Sequence, residues 1–527
     1  MVALLLVSLV TRFAAPDRFP PGLAQHAVTH NELAIEFMEA AEARRAGIPA
    51  PYPDITEQFG LMSFLQGVMF LLLGVGFRQA MLLAALFGVL AVVASYLAGR
   101  ELADHRLGLV SVVLLTAAPW HLAFSRYGDP EHSLPVFQFM LTLYLALVSI
   151  RRRSAPLALL LGLVAGLSWY VYATNQIVPV MLLLWLPLLI ARFGSPGWRW
   201  PLALVAGFAA SSWPAVARSL ALGSIYPVRA ALRVEGYEVL GLVEMLEQVP
   251  AAFRELFLRT TDPWFLRPGG MFPVVGTLLL VGGVALLVAA ARRRADRPTA
   301  VLLLATLALA FLPAVASWAT GVRRLLLVPA AAVFVQGWCV SWLLGRPALA
   351  RMSRWWHGAL ATAAAVGWLG WGIGDYVRNV EQYESAIHRN DTEVALVVAE
   401  RLGAEHLVVL AEDALDVDVK SEFIRFAAYD KLRRARTGGG PPAPMFSAVD
   451  ATTYDSLASL CASLPVGASQ QSTVLIPVPL VDLVAGGGGS RPLRRLVLEA
   501  IERAQQRRHP AWEAPCPPRA AGSGERP

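Results

Sequence analysis

Long apolar runs, separated by short polar segments rich in arginine, fill most of the first 374 residues. Met1–Ala15 is a shorter apolar start that looks like the core of a signal peptide. It has no basic leader or clear cleavage site, so the pattern favours a first membrane span. Ten further runs of 17–20 residues have the length that a helix needs to cross a bilayer: 79–98, 107–124, 134–150, 156–172, 177–193, 199–217, 272–291, 299–317, 325–344 and 357–374.

The apolar segment 59–77 is long enough to cross, and the distribution of arginine decides how we interpret it. If it lies along the membrane surface, fourteen arginines of the short loops fall on one side, against Arg126, Arg323 and Arg324 on the other. If it crosses, the triplet Arg151–Arg153 moves to the side of the membrane that has fewer arginines. Since cytoplasmic loops are enriched in basic residues, we predict a juxtamembrane helix at 59–77, about 11 spans, a cytoplasmic N-terminus and an external C-terminal region.

Composition supports a multi-pass membrane protein and excludes several other classes. The 527 residues are 56% hydrophobic and 16% charged, with a mean hydropathy of +0.53. Such a chain cannot cover itself with polar surface, which excludes a soluble enzyme, a disordered scaffold and a disulfide-rich secreted framework. The net charge of +7 reflects arginines between apolar runs, so it does not indicate nucleic-acid binding.

The non-membrane segments are predicted to face outward. Within a membrane domain at 1–374, they are the loops 16–58 and 218–271. Residues 375–508 alternate helical patterns with short apolar runs, which predicts a small extracytoplasmic α/β domain. Residues 509–527 are predicted to be disordered. Cys461 and Cys516 can pair if this domain lies outside the cytoplasm, or remain free thiols.

Three carboxylates at the outer ends of spans are candidates for catalysis. Glu32, Glu57 and Asp129 lie in or beside the predicted outer loops, and a carboxylate can act as general base toward an acceptor hydroxyl. Each also has a structural interpretation. Glu32 can be a favourable first-turn charge after a cap at Thr29 or Asn31, Glu57 the same after Thr56, and Asp129 an ion-pair partner of Arg126.

Arginines are the second candidate group. Arg126, Arg267, Arg323 and Arg324 lie at external loop ends, where a guanidinium can hold a phosphate with two hydrogen bonds near the lipid surface. Histidines and carboxylates occur in the outer loops without metal-ligand spacing, so we assign no metal site. Carboxylates and arginines together suit transfer from a lipid-linked phosphate.

The order of these features resembles the polytopic GT-C glycosyltransferases that use polyprenyl-phosphate sugars, including protein O-mannosyltransferase-like and aminoarabinose-transferase-like enzymes. The resemblance covers roughly residues 1–380. It rests on the order of these features and on short stretches of similar sequence, because no single rigid motif carries it. Its main parts are a first span running into PPGLAQHAVTHNELAIE, then PYPDITEQFG before the juxtamembrane helix. They continue with GRELADHRLGLVSVVLLTAAPWHLAFSRYG and GVRRLLLVPAAAVFVQGW.

The resemblance implies roles for particular residues. Glu32 takes the second acidic position of the family's Asp-Glu pair, while Asn31 stands where Asp is usual. Glu57 matches the acid before the juxtamembrane helix, and Asp129 falls where many relatives have another acid. Arg323 matches a basic position suited to the donor phosphate, with Arg324 and Arg126 nearby.

The implied function is inverting transfer of a sugar from a polyprenyl-phosphate donor to an extracytoplasmic glycan, lipid or protein, on the outer face of a bacterial cytoplasmic membrane. A divalent cation, Mg²⁺ or Mn²⁺, is optional in this superfamily. A transporter or flippase of lipid-linked sugars is one alternative, although it would favour ionisable residues near the bilayer midplane. A non-catalytic GT-C-like envelope protein is another, and Asn31 is the feature that favours it.

Overall fold

Helices account for nearly all of the described chain up to Val380 in this computed structural model. The structure describes residues 1–14, 25–53, 60–126, 130–221, 242–259, 269–316, 322–345 and 354–380, and short stretches between 394 and 516. The helices are α1 Val2–Phe13, α2 Gln25–Arg45, α3 Gly60–Leu73, α4 Phe77–Leu102, α5 His105–Thr116, α6 Pro119–Phe124, α7 Pro130–Arg151, α8 Ala155–Gly166, α9 Ile177–Phe193, α10 Arg199–Ala221, α11 Leu242–Phe257, α12 Val274–Ala291, α13 Arg297–Val315, α14 Leu327–Leu344, α15 Arg354–Val380 and α16 Leu457–Ser463.

Every predicted span overlaps a helix, but the span predicted at 107–124 is divided between α5 and α6. Among the described residues, seven helices are long and apolar enough to cross a membrane, and they begin at Phe77, Pro130, Thr174, Arg199, Val274, Arg297 and Leu327. The other four predicted spans fall on α1, α5, α8 and α15, which are shorter or less apolar. The prediction of a polytopic helical membrane protein is confirmed, while the count of 11 spans remains a prediction.

The segment predicted to be juxtamembrane forms a helix of its own. α3 has 14 residues, which corresponds to a length of about 21 Å, short of the roughly 30 Å of a bilayer core. Gly74 follows with a φ of +84°, a conformation that residues with a side chain rarely adopt, and α4 starts at Phe77. The chain therefore turns between α3 and α4, as expected for a helix that precedes a span.

Three helix ends that the arginine distribution assigns to one side of the membrane meet in the structure. Arg151 at the end of α7 forms an ion pair with Glu101 at the end of α4, with Nη1 and Oε2 2.7 Å apart. Arg192 at the end of α9 interacts electrostatically with both. Their meeting agrees with the predicted sidedness of these ends, and which compartment they face remains a prediction.

Glycines allow helices of the membrane region to approach closely, as small residues do in membrane proteins. A side chain at Gly166 of α8 would lie 2.7 Å from the carbonyl oxygen of Phe208 on α10. One at Gly207 of α10 would lie 3.0 Å from the amide nitrogen of Leu163. α8 and α10 therefore pack backbone to backbone.

The C-terminal region contains a five-stranded sheet. The strands are β1 His406–Ala411, β2 Phe446–Asp450, β3 Ser472–Pro477, β4 Gln506–Arg508 and β5 Ala511–Pro515, in the order β2-β1-β3-β5-β4. β1 is parallel to β2 and β3, whereas β5 is antiparallel to β3 and β4. Val408, Val474 and Ile476 pack with Leu457 and Leu460 of α16. The α/β character expected of this region is observed.

A disulfide joins Cys461 on α16 to Cys516, directly after β5. This resolves the alternative that the sequence left open. Residues 511–515 form a strand although disorder was expected from 509 onward, because β5 completes its hydrogen bonds along β3. The ordered region therefore extends to Cys516, and the rest of the predicted tail lies outside the described residues.

The chain divides into two compact units. One comprises residues 1–20, 33–72 and 78–386, and the other 21–32, 73–77 and 387–527. Most of the predicted spans and loops belong to the first unit and the sheet belongs to the second. The first part of α2, which carries Asn31 and Glu32, is grouped with the second unit.

Candidate functional site

A buried arginine on α1 is the centre of a polar cluster in the first unit. Arg12 is 0% exposed although the rest of α1 is mainly apolar. Its Nη1 donates to the Ser8 hydroxyl at 3.0 Å, and its Nη2 contacts Nδ1 of His121 at 2.7 Å. Nδ1 of His121 also lies 3.3 Å from the carbonyl oxygen of Leu115. Because a guanidinium can only donate, the shorter contact assigns Nδ1 as the acceptor and the imidazole proton to Nε2.

Two donors of this pair have no hydrogen-bond partner among the described residues. They are Nε of Arg12 and Nε2 of His121, both fully buried. A buried donor without a partner costs about 1–3 kcal/mol, and such groups occur where a protein has a functional reason to keep them. The Arg12–His121 pair therefore has two buried donors to which the described residues offer no hydrogen-bond acceptor.

The break between α5 and α6 positions His121 next to Arg12 of α1. α5 ends at Thr116, and α6 begins at Pro119, a residue that suits the first turn of a helix because its missing N–H needs no partner there. α15 lies against this break, since a side chain at Gly372 would overlap the backbone of Ala117. Tyr376, one turn further along α15, is 5% exposed.

Arg126 holds the C-terminal end of α1. Its Nη1 donates to the carbonyl oxygen of Thr11 at 2.7 Å, and its Nη2 donates to that of Ala14 at 2.9 Å. The last carbonyls of a helix lack partners within the helix and carry partial negative charge, so a cation stabilises them. This engagement uses both terminal amino groups of Arg126 within the protein, and the phosphate contact predicted for Arg126 remains a prediction.

Arg12, His121, Arg126 and Tyr376, which we call the arginine cluster, include two buried arginines. The hydrogen-bond partners of Arg12 that the structure describes are all neutral. Arg126 is close enough to repel Arg12 electrostatically. Arg126 also acts electrostatically on the hydroxyl of Tyr376, which lies near it. A buried cation is costly unless compensated, so an anion near Arg12 would stabilise it.

The predicted acid Glu32 lies well inside a helix. α2 begins at Gln25, so neither Thr29 nor Asn31 caps it, and the first-turn interpretation of Glu32 is wrong. Asn31 is 1% exposed, whereas Glu32 is half-buried. Helical spacing aligns Glu32 with the exposed Glu36, one turn on, and both make this face of α2 acidic.

The remaining predicted residues are described only in part. Asp129 and Glu57 lie outside the described residues, as does Arg267. Arg323 and Arg324 belong to a 3₁₀ turn at Val322–Leu325 before α14; the side chain of Arg323 is not among those described, and Arg324 is half-buried. The roles assigned to all these residues therefore remain predictions.

The described residues contain no group of three or more histidine, cysteine or acidic side chains arranged to hold a metal ion. The optional Mg²⁺ or Mn²⁺ remains a prediction, and no catalytic step below depends on a metal. Three members of the arginine cluster, Arg12, His121 and Tyr376, were not among the predicted site residues. The sequence features that could have indicated Arg12 and His121 were a single charge in the first apolar run and the PWH sequence at 119–121.

Comparison with known proteins finds a match of part of the chain to one family and several structures of similar fold. Residues 61–213 match the family described as dolichyl-phosphate-mannose-protein mannosyltransferase. No curated protein sequence shows significant similarity to the chain.

Three solved structures are similar to the chain. The apo crystal structure of ArnT from Cupriavidus metallidurans is 15% identical, with a TM-score of 0.51, over 92% of this chain and 94% of that chain. An oligosaccharyltransferase of Archaeoglobus fulgidus, tethered to an acceptor peptide, is 14% identical over 94% of this chain and 71% of that chain, with a TM-score of 0.50. AglB of the same organism, in complex with an inhibitory peptide and a dolichol-phosphate, is 13% identical over 95% and 72%, with a TM-score of 0.51.

At these identities the similarity concerns the fold. It extends over nearly the whole chain, whereas the family match covers the region from α3 to α10. Together with the helices described above, these findings establish that the protein has the GT-C fold of membrane glycosyltransferases.

Proposed function

We propose that the protein transfers a sugar from a polyprenyl-phosphate donor to an extracytoplasmic acceptor, with inversion at the anomeric carbon. The GT-C fold and the match of residues 61–213 to a family described by a dolichyl-phosphate sugar reaction support the class of donor. The observation that carries the proposal is Arg12, a fully buried cation whose described hydrogen-bond partners are all neutral and whose Nε has no hydrogen-bond partner among the described residues. Such a cation favours an anion, and the donor's phosphate is the anion of this reaction.

Glu32 is the proposed general base. Its carboxylate takes the proton of the acceptor hydroxyl, while the acceptor oxygen attacks the anomeric carbon of the donor. The bond between that carbon and the phosphate oxygen breaks, and the polyprenyl phosphate leaves with the electron pair. Asp129 and Glu57 are the proposed further carboxylates of the site.

The leaving phosphate gains negative charge as the bond breaks, so cations that stabilise this charge accelerate the reaction. Arg323 and Arg324 are the proposed direct ligands, with Asn31 as a neutral neighbour of Glu32 on the substrate side. The buried Arg12 and Arg126 contribute by their field, because interactions across a low-dielectric interior are weakly screened.

The proposed location is the outer face of a bacterial cytoplasmic membrane, with the N-terminus cytoplasmic and the C-terminal domain outside. The Cys461–Cys516 disulfide supports this orientation, because disulfides persist in oxidising compartments and are rare in the cytosol. The acceptor is proposed to be a glycan, lipid or protein exposed on that side.

Transfer can be tested with purified protein, a panel of labelled polyprenyl-phosphate sugars and a cell-envelope extract. Glu32→Gln should lower transfer by about 10²–10⁴-fold, the usual contribution of a general base, while expression stays normal. Glu36→Gln, which removes a carboxylate one turn further on the same helix, is the matched control and should remain active. Equal activity of the two variants would remove Glu32 from the reaction. Failure of the unaltered protein to consume any donor would contradict the proposed function itself.

A further inference from the structure

α2 and α3 enclose a cavity of about 400 Å³ in the first unit. Its walls are largely apolar and include Phe37 of α2 with Phe64, Val68 and Leu71 of α3. The rings of Phe37 and Phe64 meet edge to face, with centroids 5.7 Å apart. The cavity is thus lined by side chains that suit an apolar ligand.

The close crossing of the two helices fixes the floor of this cavity. A side chain at Gly67 of α3 would lie 2.7 Å from the carbonyl oxygen of Ala34 and 2.9 Å from Cβ of Phe37. Backbone contact at this point sets the separation of α2 and α3. The cavity therefore lies beside a point where backbone contact fixes the separation of the two helices.

Two adjacent arginines line the cavity where α2 ends. Nε of Arg44 donates to the carbonyl oxygen of Ala50 at 2.7 Å, and its guanidinium carbon lies 4.5 Å from the centroid of the Tyr52 ring. These two contacts hold the side chain in place without using its terminal amino groups. Arg45 follows directly, and both arginines are exposed. A preorganised guanidinium of this kind is suited to a phosphate group.

An exposed apolar row continues from the cavity along α3. Phe64, Val68 and Leu72, spaced four residues apart, are 36%, 38% and 75% exposed. Exposed apolar rows beside cations are typical of helices that lie at a membrane interface. Apolar side chains that can contact acyl chains therefore lie beside arginines that can contact a headgroup.

We propose that this cavity binds a phospholipid with an anionic headgroup. The phosphate lies at Arg44 and Arg45, and the first part of an acyl chain lies against Phe64, Val68 and Leu71. The volume fits this part of one lipid, since it is near the lower end of the range of ligand pockets. Charge complementarity selects an anionic lipid over a zwitterionic one, because its headgroup has net charge to offset the two cations.

The test measures lipid retained by the full-length protein in detergent, using native mass spectrometry. Equal amounts of dioleoyl phosphatidylglycerol and dioleoyl phosphatidylcholine are added, so the acyl chains are identical and only the headgroups differ. The unaltered protein should retain mainly phosphatidylglycerol. Arg44→Gln combined with Arg45→Gln should lower that retention about 25-fold, since each basic residue near an anionic lipid contributes roughly a factor of five.

Arg292→Gln combined with Arg293→Gln is the matched control, because it removes two adjacent exposed arginines elsewhere. It should retain phosphatidylglycerol normally. Val68→Asp should lower retention without touching either arginine, and all variants must elute as the folded protein does. Equal retention of the two lipids, an equal loss in the control pair, or displacement of the lipid by about 10 mM inorganic phosphate would each overturn the proposal. Lipid retention is read directly, so its outcome does not depend on the proposed transfer activity.

Discussion

Gly88→Ala is expected to destabilise the arginine cluster through a single added methyl group. Gly88 lies within α4, and a Cβ placed on it would overlap the hydroxyl of Ser125. It would also lie 2.6 Å from Cβ of Ser125 and 3.0 Å from Nε of Arg12. Carbon atoms in contact are normally about 3.5–4.0 Å apart, so Ser125 must move by about 1 Å. The Ser125 hydroxyl donates to the carbonyl oxygen of His121, so this movement also displaces the histidine that binds Arg12.

Overpacking of this size costs about 1–3 kcal/mol, which corresponds to a fall of roughly 2–6 °C in the apparent Tm of a large chain. The measurement is thermal unfolding of the purified protein in detergent. Gly367→Ala is the control, because a Cβ there would meet no atom within 4 Å, and it should leave the Tm unchanged or slightly raised. Adding Ser125→Gly to Gly88→Ala should recover most of the loss. A Gly88→Ala protein as stable as Gly367→Ala would refute the close packing of α4 against the cluster.

Three further outcomes are expected. Cys461→Ser should open a loop of 55 residues and lower the stability of the sheet region by about 4 kcal/mol, seen as faster proteolysis of the full chain and a changed mobility on a non-reducing gel. Glu101→Gln should lower the Tm more than the exposed control Glu247→Gln, since it leaves Arg151 without its ion-pair partner. Arg12→Met should leave the Tm unchanged or raise it while lowering kcat for transfer on the order of tenfold, because it removes one cation whose field stabilises the leaving phosphate. A lower Tm with an unchanged kcat would instead assign Arg12 a structural role.

The membrane helices could be predicted because two strong physical constraints act on them. A bilayer requires an apolar run of fixed length, and insertion leaves arginines on one side. Residues 60–73 form a separate short helix that ends before Gly74, and its juxtamembrane position, for which the Arg151–Arg153 triplet decided the interpretation, remains a prediction.

The start of α2 could not be predicted, and the reason is local. Thr29 and Asn31 are residues that favour helix caps, so the sequence suggested a helix beginning near Glu32. The helix in fact begins at Gln25, and Asn31 lies buried on the same face as Ala34 and Met38. Packing of this face overrides the capping preference, since propensity is a weak local term compared with burial. β5 shows the same effect at the other end of the chain, where pairing with β3 orders a segment rich in proline.

Arg12 shows how a cost in stability can point to function. A guanidinium on a short apolar helix is expensive to bury, and its described partners offer dipoles but no opposite charge. Residues of the same volume without charge would fill the space between α1 and α6 more favourably. A charge that packing does not require, placed beside a second buried arginine, generates a field that favours anions at this end of the helices. In the proposed reaction the anion that is bound and then released is the phosphate of the lipid donor, so the proposal gives the buried charge of Arg12 a function.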